Sequence, residues 1–345
     1  MTNPTPDSMH KLHGFLMSPF SMKLRAYLRY RHIPFQWCNN LGADEIARTK
    51  VKTYMVPVIE YPDGTFENDS TPIIDKLEQK FSARSTEPEN EADAFLAYLI
   101  EDFADEWCTK YMFHFRWHKK LDAGNAATLL PLSTNVSMPK DTHKELKNWI
   151  EERQVSRLYV VGSNDTTAPV IDTSYRRFLL AMENHLANQN FMLGNRPAAG
   201  DFGLYGQLSQ LVGFDPTSRA IAYELSPRTV AWVDLMRDQS GLEPTEQDWV
   251  SLQDQPESLR GLLEEIGRMY APAQLANAQA VAAGDKTWTA EIDGAVWTQQ
   301  TFPYQARCLR WTNEYYRTLS DADRATVDSL LEGTNVETML LAGKL

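Results

Sequence analysis

The chain has 345 residues, more than one compact domain usually holds, so its length predicts two domains or more. Hydrophobic residues make up 43% of the sequence and aromatic residues 11%, which is enough to bury a large core and excludes disorder by composition. Asp and Glu outnumber Lys and Arg by 46 to 34, and the net charge of −12 argues against nucleic acid as a partner, because phosphate binding requires a basic surface.

Cysteine usage and hydropathy set further limits. Cys38, Cys108 and Cys308 are isolated thiols, which is typical of a reducing compartment and offers no zinc-binding pair. No apolar run approaches the roughly 18 residues of a membrane-spanning helix. Residues 1–9 lack the charged start and apolar core of a secretory signal and are expected to form a loose tail. We therefore expect a cytoplasmic protein with no membrane partner.

Residues 10–83 alternate between strand and helix patterns. The Asp63-Gly64 pair is a strong hairpin signal between two of the strands. Strands are predicted at Lys11–Leu16, Phe35–Cys38, Val58–Tyr61 and Thr65–Glu67, and helices after Ser18, near Glu45–Lys52 and after Ser70. The order β-α-β-α-β-β-α is that of a thioredoxin-like domain.

After a polar break at 82–90, the remainder is predicted to form a helical domain over 90–345, of which 240–345 is an extension. Apolar residues four apart predict an amphipathic helix over Ala94–Lys119, whose acidic face, Glu101–Glu106, is expected to be solvated or, as a lesser alternative, to contribute to a dimer interface. Residues 121–140 look irregular. Further helices are predicted at Thr142–Arg157, Asp172–Ala187, Pro197–Val212, Leu225–Met236, around Leu259–Met269 and at Gln305–Leu319, with a small hairpin around Asp293-Gly294.

Two dipeptides in the first domain carry the most specific signal. Val56-Pro57 places a proline at the start of a strand, where a cis bond would turn the Val56 backbone outward to pair with an extended peptide. About a dozen residues later, Asp69-Ser70 opens a helix whose free N–H groups and dipole favour a carboxylate. Together they are predicted to hold both ends of a small anionic peptide.

The motifs resemble those of the glutathione transferase superfamily over roughly residues 10–240. Ser18-Pro19-Phe20-Ser21 is similar to the start of serine-type transferases, and Val56-Pro57 with Asp69-Ser70 resembles the glutathione grip of the family. Phe191–Phe202 resembles the segment that opens a core helix of the second domain. The run Ser18–Arg29 also resembles metaxin and failed-axon-connection proteins. The resemblance implies a thioredoxin-like N-terminal domain, an all-helical C-terminal domain, glutathione as co-substrate and a homodimer.

In such a protein, Ser18 would donate a hydrogen bond to the glutathione sulfur and stabilise its thiolate, with Ser21 as the second candidate. A plain helix cap is the alternative role for both serines. The Val56 backbone would pair with the cysteinyl part of glutathione, next to a structural cis-proline at Pro57.

The resemblance also implies how the ends of glutathione are held. Ser70 would bind the γ-glutamyl carboxylate and Asp69 the ammonium group. Lys52 would bind the glycyl carboxylate, with Lys50 or Arg48 as substitutes.

The helix over 94–119 lines the acceptor site in this superfamily. Tyr111, His114, Arg116 and Trp117 are therefore candidates for the acceptor pocket, with helix–helix packing as an equally weighted alternative. His114 and His118 have metal-compatible spacing, but no third ligand is evident and no metal is expected. The aromatic residues Trp288, Trp297, Tyr304 and Trp311 are expected to form a packed extension and, as the lesser alternative, a lid over this pocket.

The function implied is transfer of glutathione thiolate to an electrophilic, apolar small molecule, as in detoxification. The alternative is a non-catalytic protein of the same fold that binds glutathione or acts as a scaffold. A thiol reductase is disfavoured because positions 18 and 21 are serines, which cannot carry disulfide exchange.

Overall fold

The computed structural model describes residues 9–341, without the side chains of Leu41, Ala43 and Leu341. The tail predicted at 1–9 thus lies, except for residue 9, outside the described residues. Among residues 9–341, no helix has the length and apolar character needed to cross a membrane.

The N-terminal part is a four-stranded sheet with order β2-β1-β3-β4. β1 (His10–His13) pairs in parallel with β2 (Phe35–Cys38) and antiparallel with β3 (Val58–Glu60), which pairs antiparallel with β4 (Phe66–Asn68). The helices of this part are α1 (Pro19–Tyr30), α2 (Leu41–Lys50) and α3 (Ser70–Lys80). The predicted thioredoxin-like order of elements is confirmed.

Local signals explain where α1 begins and ends. The Ser18 hydroxyl caps the helix by accepting a hydrogen bond from the Ser21 N–H at 3.3 Å, and Pro19 occupies the first turn, where no N–H is needed. The helix ends at Tyr30, and His32 follows with a φ of 54°. Its buried stripe faces the sheet on one side and the helical part of the protein on the other.

The rest of the described chain is mostly helical. The helices after α3 are α4 (Glu91–Phe103), α5 (Thr109–His118), α6 (Lys120–Leu132), α7 (Lys140–Val155), α8 (Ala168–Leu186), α9 (Ala199–Leu211), α10 (Pro216–Leu225), α11 (Pro227–Met236), α12 (Arg260–Glu265), α13 (Ala271–Ala283), α14 (Pro303–Thr318), α15 (Asp321–Leu331) and α16 (Glu337–Leu341). Two π-helical turns interrupt this run, Ala104–Cys108 between α4 and α5 and Ile266–Tyr270 between α12 and α13. The predicted combination of a thioredoxin-like domain and a helical region is confirmed.

The prediction of irregular structure at 121–140 is wrong, because α6 occupies most of this segment. Gly124 and Pro131 suggest a loop in the sequence, but Pro131 lies in the last turn of the helix. Ala123, Ala126 and Ala127 are buried against neighbouring helices. Tertiary packing therefore stabilises a helix that the composition of the segment does not predict.

The two parts of the chain meet where α1 packs on α9. The rings of Tyr27 and Tyr30 contact the Phe202 ring, with centroids 5.8 and 5.6 Å apart. A Cβ atom at Gly206 would lie 2.7 Å from the carbonyl oxygen of Pro19, so the close approach of the helices requires glycine there. This contact fixes the start of α1 against the core helix of the second part.

The C-terminal extension contains the predicted hairpin, formed by β5 (Thr287–Ile292) and β6 (Ala295–Gln300). Asp293 and Gly294 have φ values of 50° and 77°, as a tight two-residue hairpin turn requires. The hairpin is anchored by Trp297, which is fully buried and lies 5.4 Å from the Trp107 ring. The extension is therefore packed into the helical region.

Candidate functional site

A cavity of about 880 Å³ lies between the sheet end of the N-terminal part and the helices α4, α5 and α14. Val56, Pro57, Asp69 and Ser70 all line it. The structure thus brings together four of the six residues expected to hold glutathione. Ser18 and Lys52 are not among the described residues that line this cavity.

The loop before β3 carries a cis peptide bond between Val56 and Pro57. The sheet ladder begins at Val58, which pairs with Asn68, so the backbone of Val56 lies outside it. Pro57 and Val58 are buried, which anchors the loop to the sheet at the point where it borders the cavity.

Helix α3 starts at Ser70, which is 2% exposed. The preceding Asp69 has a φ of 83°, a strained backbone conformation for a residue other than glycine. Its carboxylate does not cap the helix. It accepts instead a hydrogen bond of 2.6 Å from the hydroxyl of Tyr304, which is contributed by α14.

The two candidate serines at the start of α1 have structural partners. Ser18 is half-buried and caps the helix, while Phe20 is the residue of this segment that lines the cavity. Ser21 is fully buried, and its hydroxyl accepts a hydrogen bond from the Phe15 N–H at 3.4 Å. A Cβ atom at Gly14 would lie 2.5 Å from the Ser21 hydroxyl, so this turn is tightly packed.

The basic candidates before Val56, which are Arg48, Lys50 and Lys52, are not among the described residues that line the cavity. Lys52 is exposed. Arg48 pairs with Asp44 at 2.8 Å and lies over the Tyr54 ring, 4.2 Å from its centroid.

The four acceptor-pocket candidates on α5 are buried in helix packing and do not line this cavity. Tyr111 hydrogen bonds Ser174 at 2.6 Å, and His114 hydrogen bonds Ser163 at 2.7 Å. Arg116 forms a buried ion pair, and Trp117 is 2% exposed. Within the described part of the chain, no group of His, Cys, Asp and Glu residues is arranged to hold a metal ion.

The opposite face of the same helical run lines the cavity instead. Its residues recur three or four apart on both sides of the π-helical turn: Tyr98, Glu101, Asp102, Asp105, Glu106, Thr109, Lys110 and Phe113. The predicted solvation of the acidic run is therefore wrong. Glu101, Asp102 and Asp105 are only 3, 9 and 9% exposed, because other elements of the chain cover them.

Lys23 from α1 neutralises part of this acidic face. Its ammonium group lies 2.6 Å from Glu101 and 2.5 Å from Asp105. Burial acts to lower the pKa of Lys23, but the two carboxylates outweigh it and hold that pKa above its usual value. This buried ion triad therefore remains charged.

Asp102 has no such cation and instead accepts hydrogen bonds from the Tyr270 hydroxyl at 2.6 Å and the Thr312 hydroxyl at 3.3 Å. Tyr270 belongs to the second π-helical turn, whereas Asp102 lies in the last turn of α4, just before the first one. Burial raises the pKa of Asp102 from its ordinary value of 3.8 to about 7.

The shifted pKa of Asp102 predicts how stability changes with pH. Between the unfolded pKa of 3.8 and the folded pKa of about 7, the folded protein retains a proton that the unfolded chain has released. Protonated Asp102 therefore contributes its full stabilisation below the pKa of the unfolded chain, and this stabilisation is lost as the pH rises through the pKa of the folded protein. The free energy of unfolding, measured with urea, should fall between about pH 5 and pH 8 in the wild type. In Asp102→Asn this fall should be smaller by about 1–4 kcal/mol. An unchanged pH difference in Asp102→Asn would contradict this.

Helix α14 of the extension forms the wall opposite α4. Tyr304, Cys308, Trp311 and Tyr315 line the cavity and recur at helical spacing on one face of α14. Tyr304 and Trp311 thus border the site, as the lid alternative requires, whereas Trp288 and Trp297 are 4 and 0% exposed and belong to the packed core. The spacing of these aromatic residues is the sequence signal that could have located this wall.

The sheet, the Val56-Pro57 loop and the start of α3 all lie in the N-terminal part, and this part matches a known family model. Residues 12–85 match the family model described as "Glutathione S-transferase, N-terminal domain". The resemblance to this superfamily is thereby confirmed at the N-terminal domain. A comparison with curated proteins gave no match.

Several solved structures are also similar. The Tau class glutathione S-transferase MiGSTU from mango, Mangifera indica, is 15% identical, with 74% of this chain and 96% of that chain covered and a TM-score of 0.42. Rice GST1 (OsGSTU1) in complex with glutathione is 19% identical, with coverage of 69% and 93% and a TM-score of 0.36. A glutathione S-transferase of Ceriporiopsis subvermispora in complex with glutathione is 15% identical, with coverage of 68% and 99% and a TM-score of 0.42.

Proposed function

We propose that this protein binds glutathione and transfers its thiolate to an electrophilic small molecule with an apolar body. The observation that carries the proposal is the convergence of Val56-Pro57 and Asp69-Ser70 on one cavity. The first supplies backbone for an extended peptide, and the second supplies a helix N-terminus for a carboxylate.

In the proposed complex, the Val56 backbone pairs with the cysteinyl residue of glutathione, beside Pro57. The N–H and hydroxyl of Ser70 bind the γ-glutamyl carboxylate, and the Asp69 carboxylate binds the ammonium group. Lys52 approaches the glycyl carboxylate from the edge of the site.

The proposed reaction places the glutathione sulfur near Ser18, whose hydroxyl donates a hydrogen bond to the thiolate. The thiolate forms a bond to the electrophilic carbon, and the leaving group departs with its electron pair. A homodimer acting in the cytoplasm on toxic electrophiles is part of the same proposal.

Removal of the Ser70 hydroxyl tests the carboxylate site. Loss of a hydrogen bond to a charged group typically costs about 1.5–3 kcal/mol, so Ser70→Ala should weaken glutathione binding roughly 10- to 100-fold in calorimetric titration. The matched control is Ser320→Ala, since Ser320 caps α15 away from the cavity and its loss should leave binding unchanged. If the wild-type protein does not bind millimolar glutathione, the proposed function is wrong.

Ser18→Ala tests the catalytic proposal. We expect lower turnover and a higher pKa of the bound glutathione thiol, measured by thiolate absorbance against pH, with little change in affinity. Because Ser18 also caps α1, its loss costs about 0.5–2 kcal/mol of stability in either case. Ser18→Thr keeps a hydroxyl and a cap and should restore the low thiol pKa. An equal thiol pKa in the wild type and Ser18→Ala would remove Ser18 from the chemistry.

A non-catalytic glutathione-binding or scaffold protein is the second candidate. It is favoured by the capping role of the Ser18 hydroxyl and by the hydrogen bond from Tyr304 to Asp69. Retention on immobilised glutathione without turnover of any electrophile would support a binding role, and turnover that depends on Ser18 would exclude it.

A further inference from the structure

The half of the cavity beyond the glutathione residues combines aromatic rings with carboxylates. Tyr98 and Phe113 flank the acidic residues on the α4–α5 side, and Tyr304, Trp311 and Tyr315 face them from α14. Aromatic faces attract organic cations through their quadrupoles, and carboxylates attract them through charge. The aromatic rings and the carboxylates of this lining therefore both favour an organic cation.

The charges of the described residues around the cavity do not balance. The lining carboxylates are Asp69, Asp75, Glu101, Asp102, Asp105 and Glu106. Lys110 is the single basic residue among the described residues of the lining, and Lys23, which is not part of the lining, pairs with Glu101 and Asp105. The Lys110 ammonium group also donates a hydrogen bond to Gln299 at 3.0 Å. Carboxyl groups thus outnumber basic groups around the space next to the proposed glutathione site.

Among the described residues, four of these carboxyl groups form no ion pair: Asp69, Asp75, Asp102 and Glu106. Burial raises the pKa of Asp102 to about 7 and that of Glu106 to about 8. A cation placed in the cavity would stabilise the ionised form of both. An anionic or neutral occupant would not stabilise the ionised form of either carboxyl group.

Asp105 is a further lining carboxylate whose hydrogen bonding is incomplete. Its Oδ2 atom contacts Lys23 and accepts a hydrogen bond from Thr71. Its Oδ1 atom has no hydrogen-bond partner among the described residues, although Asp105 is 9% exposed. Buried carboxylate oxygens are normally satisfied, so the contacts of Asp105 compensate its charge only in part at a position that lines the cavity.

We propose that this half of the cavity binds an organic cation, an alkylammonium or aromatic ammonium compound, whose charge lies near Asp105 and Glu106 and whose apolar body packs between α4 and α14. As the substrate class of the transferase, this rests on the proposed function; as a binding site, it does not. The cavity volume of about 880 Å³ falls in the range of about 300–1,000 Å³ that is typical of small-molecule sites.

Three probes of nearly equal shape test the charge preference on the wild-type protein by calorimetric titration. They are benzyltrimethylammonium, its uncharged carbon analogue neopentylbenzene, and the anion phenylmethanesulfonate. We expect the cation to bind at least about tenfold more tightly than the neutral analogue, and the anion not to bind measurably. Equal affinities for the cation and the neutral analogue, or preferred binding of the anion, would overturn the proposal.

A variant pair locates the site. Glu106→Gln preserves shape and should weaken the cation about three- to tenfold above the Glu106 pKa of about 8, with no change for the neutral analogue. Glu152→Gln, on the exposed surface of α7, removes the same charge outside the cavity and should change neither affinity. An equal loss in both variants, or none in Glu106→Gln, would overturn the placement of the cation.

Glutathione titrated into the same samples separates the two proposals. Binding of glutathione without cation preference overturns only this inference. Binding of the cation without glutathione supports the cation site and overturns the proposed function.

Discussion

Replacing Lys23 with methionine is expected to lower the free energy of unfolding by about 3–5 kcal/mol. The lysine side chain is 1% exposed, and its ammonium group is the common partner of Glu101 and Asp105. Methionine fills a similar volume but leaves two buried carboxylates without a cation. The loss should appear as a shifted midpoint in urea unfolding and as a lower melting temperature.

The matched control for this prediction is Lys76→Met. Lys76 also forms a salt bridge, with Glu67 at 2.9 Å, but its side chain is 59% exposed. Exposed pairs contribute about 0–1 kcal/mol, so this variant should remain close to the wild type. Adding Glu101→Gln and Asp105→Asn to Lys23→Met should recover much of the lost stability, because it removes the uncompensated charges. A Lys23→Met protein as stable as Lys76→Met would contradict the role given to the triad.

The role of Lys23 shows where sequence reasoning ends. The spacing of Leu24, Tyr27 and Leu28 predicts α1 and its buried stripe, and both are confirmed. A lysine on an amphipathic helix is ordinarily solvated, and nothing near it in sequence indicates otherwise. Its partners are 78 and 82 residues further along the chain, so its burial depends on tertiary packing alone.

The burial of the acidic residues at the end of α4 and just after it also depends on contacts that are distant in sequence. Periodicity correctly places Glu101, Asp102 and Asp105 on one face of a helix, but it does not indicate what covers that face. The cover comes from α1, from the π-helical turn around Tyr270 and from α14, which lie far away in sequence. A polar face meeting other polar groups has the same sequence pattern as one meeting water.

The candidate site has parts that the sequence could predict and parts that depend on the tertiary fold. Val56-Pro57 and Asp69-Ser70 could be predicted because each is a short motif whose geometry is set locally. The aromatic wall of α14 lies more than 230 residues from Asp69, and its contact through Tyr304 could be known only from the fold. The α5 residues predicted to line the acceptor pocket are buried outside the cavity lining, whereas Phe113 of the same helix lies in it.

Arg116→Met is expected to destabilise the protein by about 3–5 kcal/mol through loss of a second buried ion pair. The guanidinium Nε donates to both carboxylate oxygens of Asp215, at 2.9 and 3.1 Å, and Asp215 is fully buried. A further N–H donates to the Met17 carbonyl oxygen at 2.9 Å, directly before Ser18. Arg116 thus ties the helical region to the turn that begins α1, as the packing alternative requires.

Two comparisons give this prediction its controls. Arg310→Met breaks an exposed pair with Glu314 and should cost at most about 1 kcal/mol. Arg116→Met with Asp215→Asn should be more stable than Arg116→Met alone, since the double variant no longer buries an unpaired carboxylate. If the double variant is no more stable, the ion pair is not the cause of the loss.

The contact with Met17 also links stability to the proposed chemistry. If Ser18 acts on the glutathione sulfur, freeing the Met17 carbonyl should loosen the turn that positions its hydroxyl. Arg116→Met, measured well below its melting temperature, should then raise the pKa of the bound thiol in the same direction as Ser18→Ala. A thiol pKa that moves in Ser18→Ala but not in Arg116→Met would confine Arg116 to stability, because the turn would then hold Ser18 in place without it.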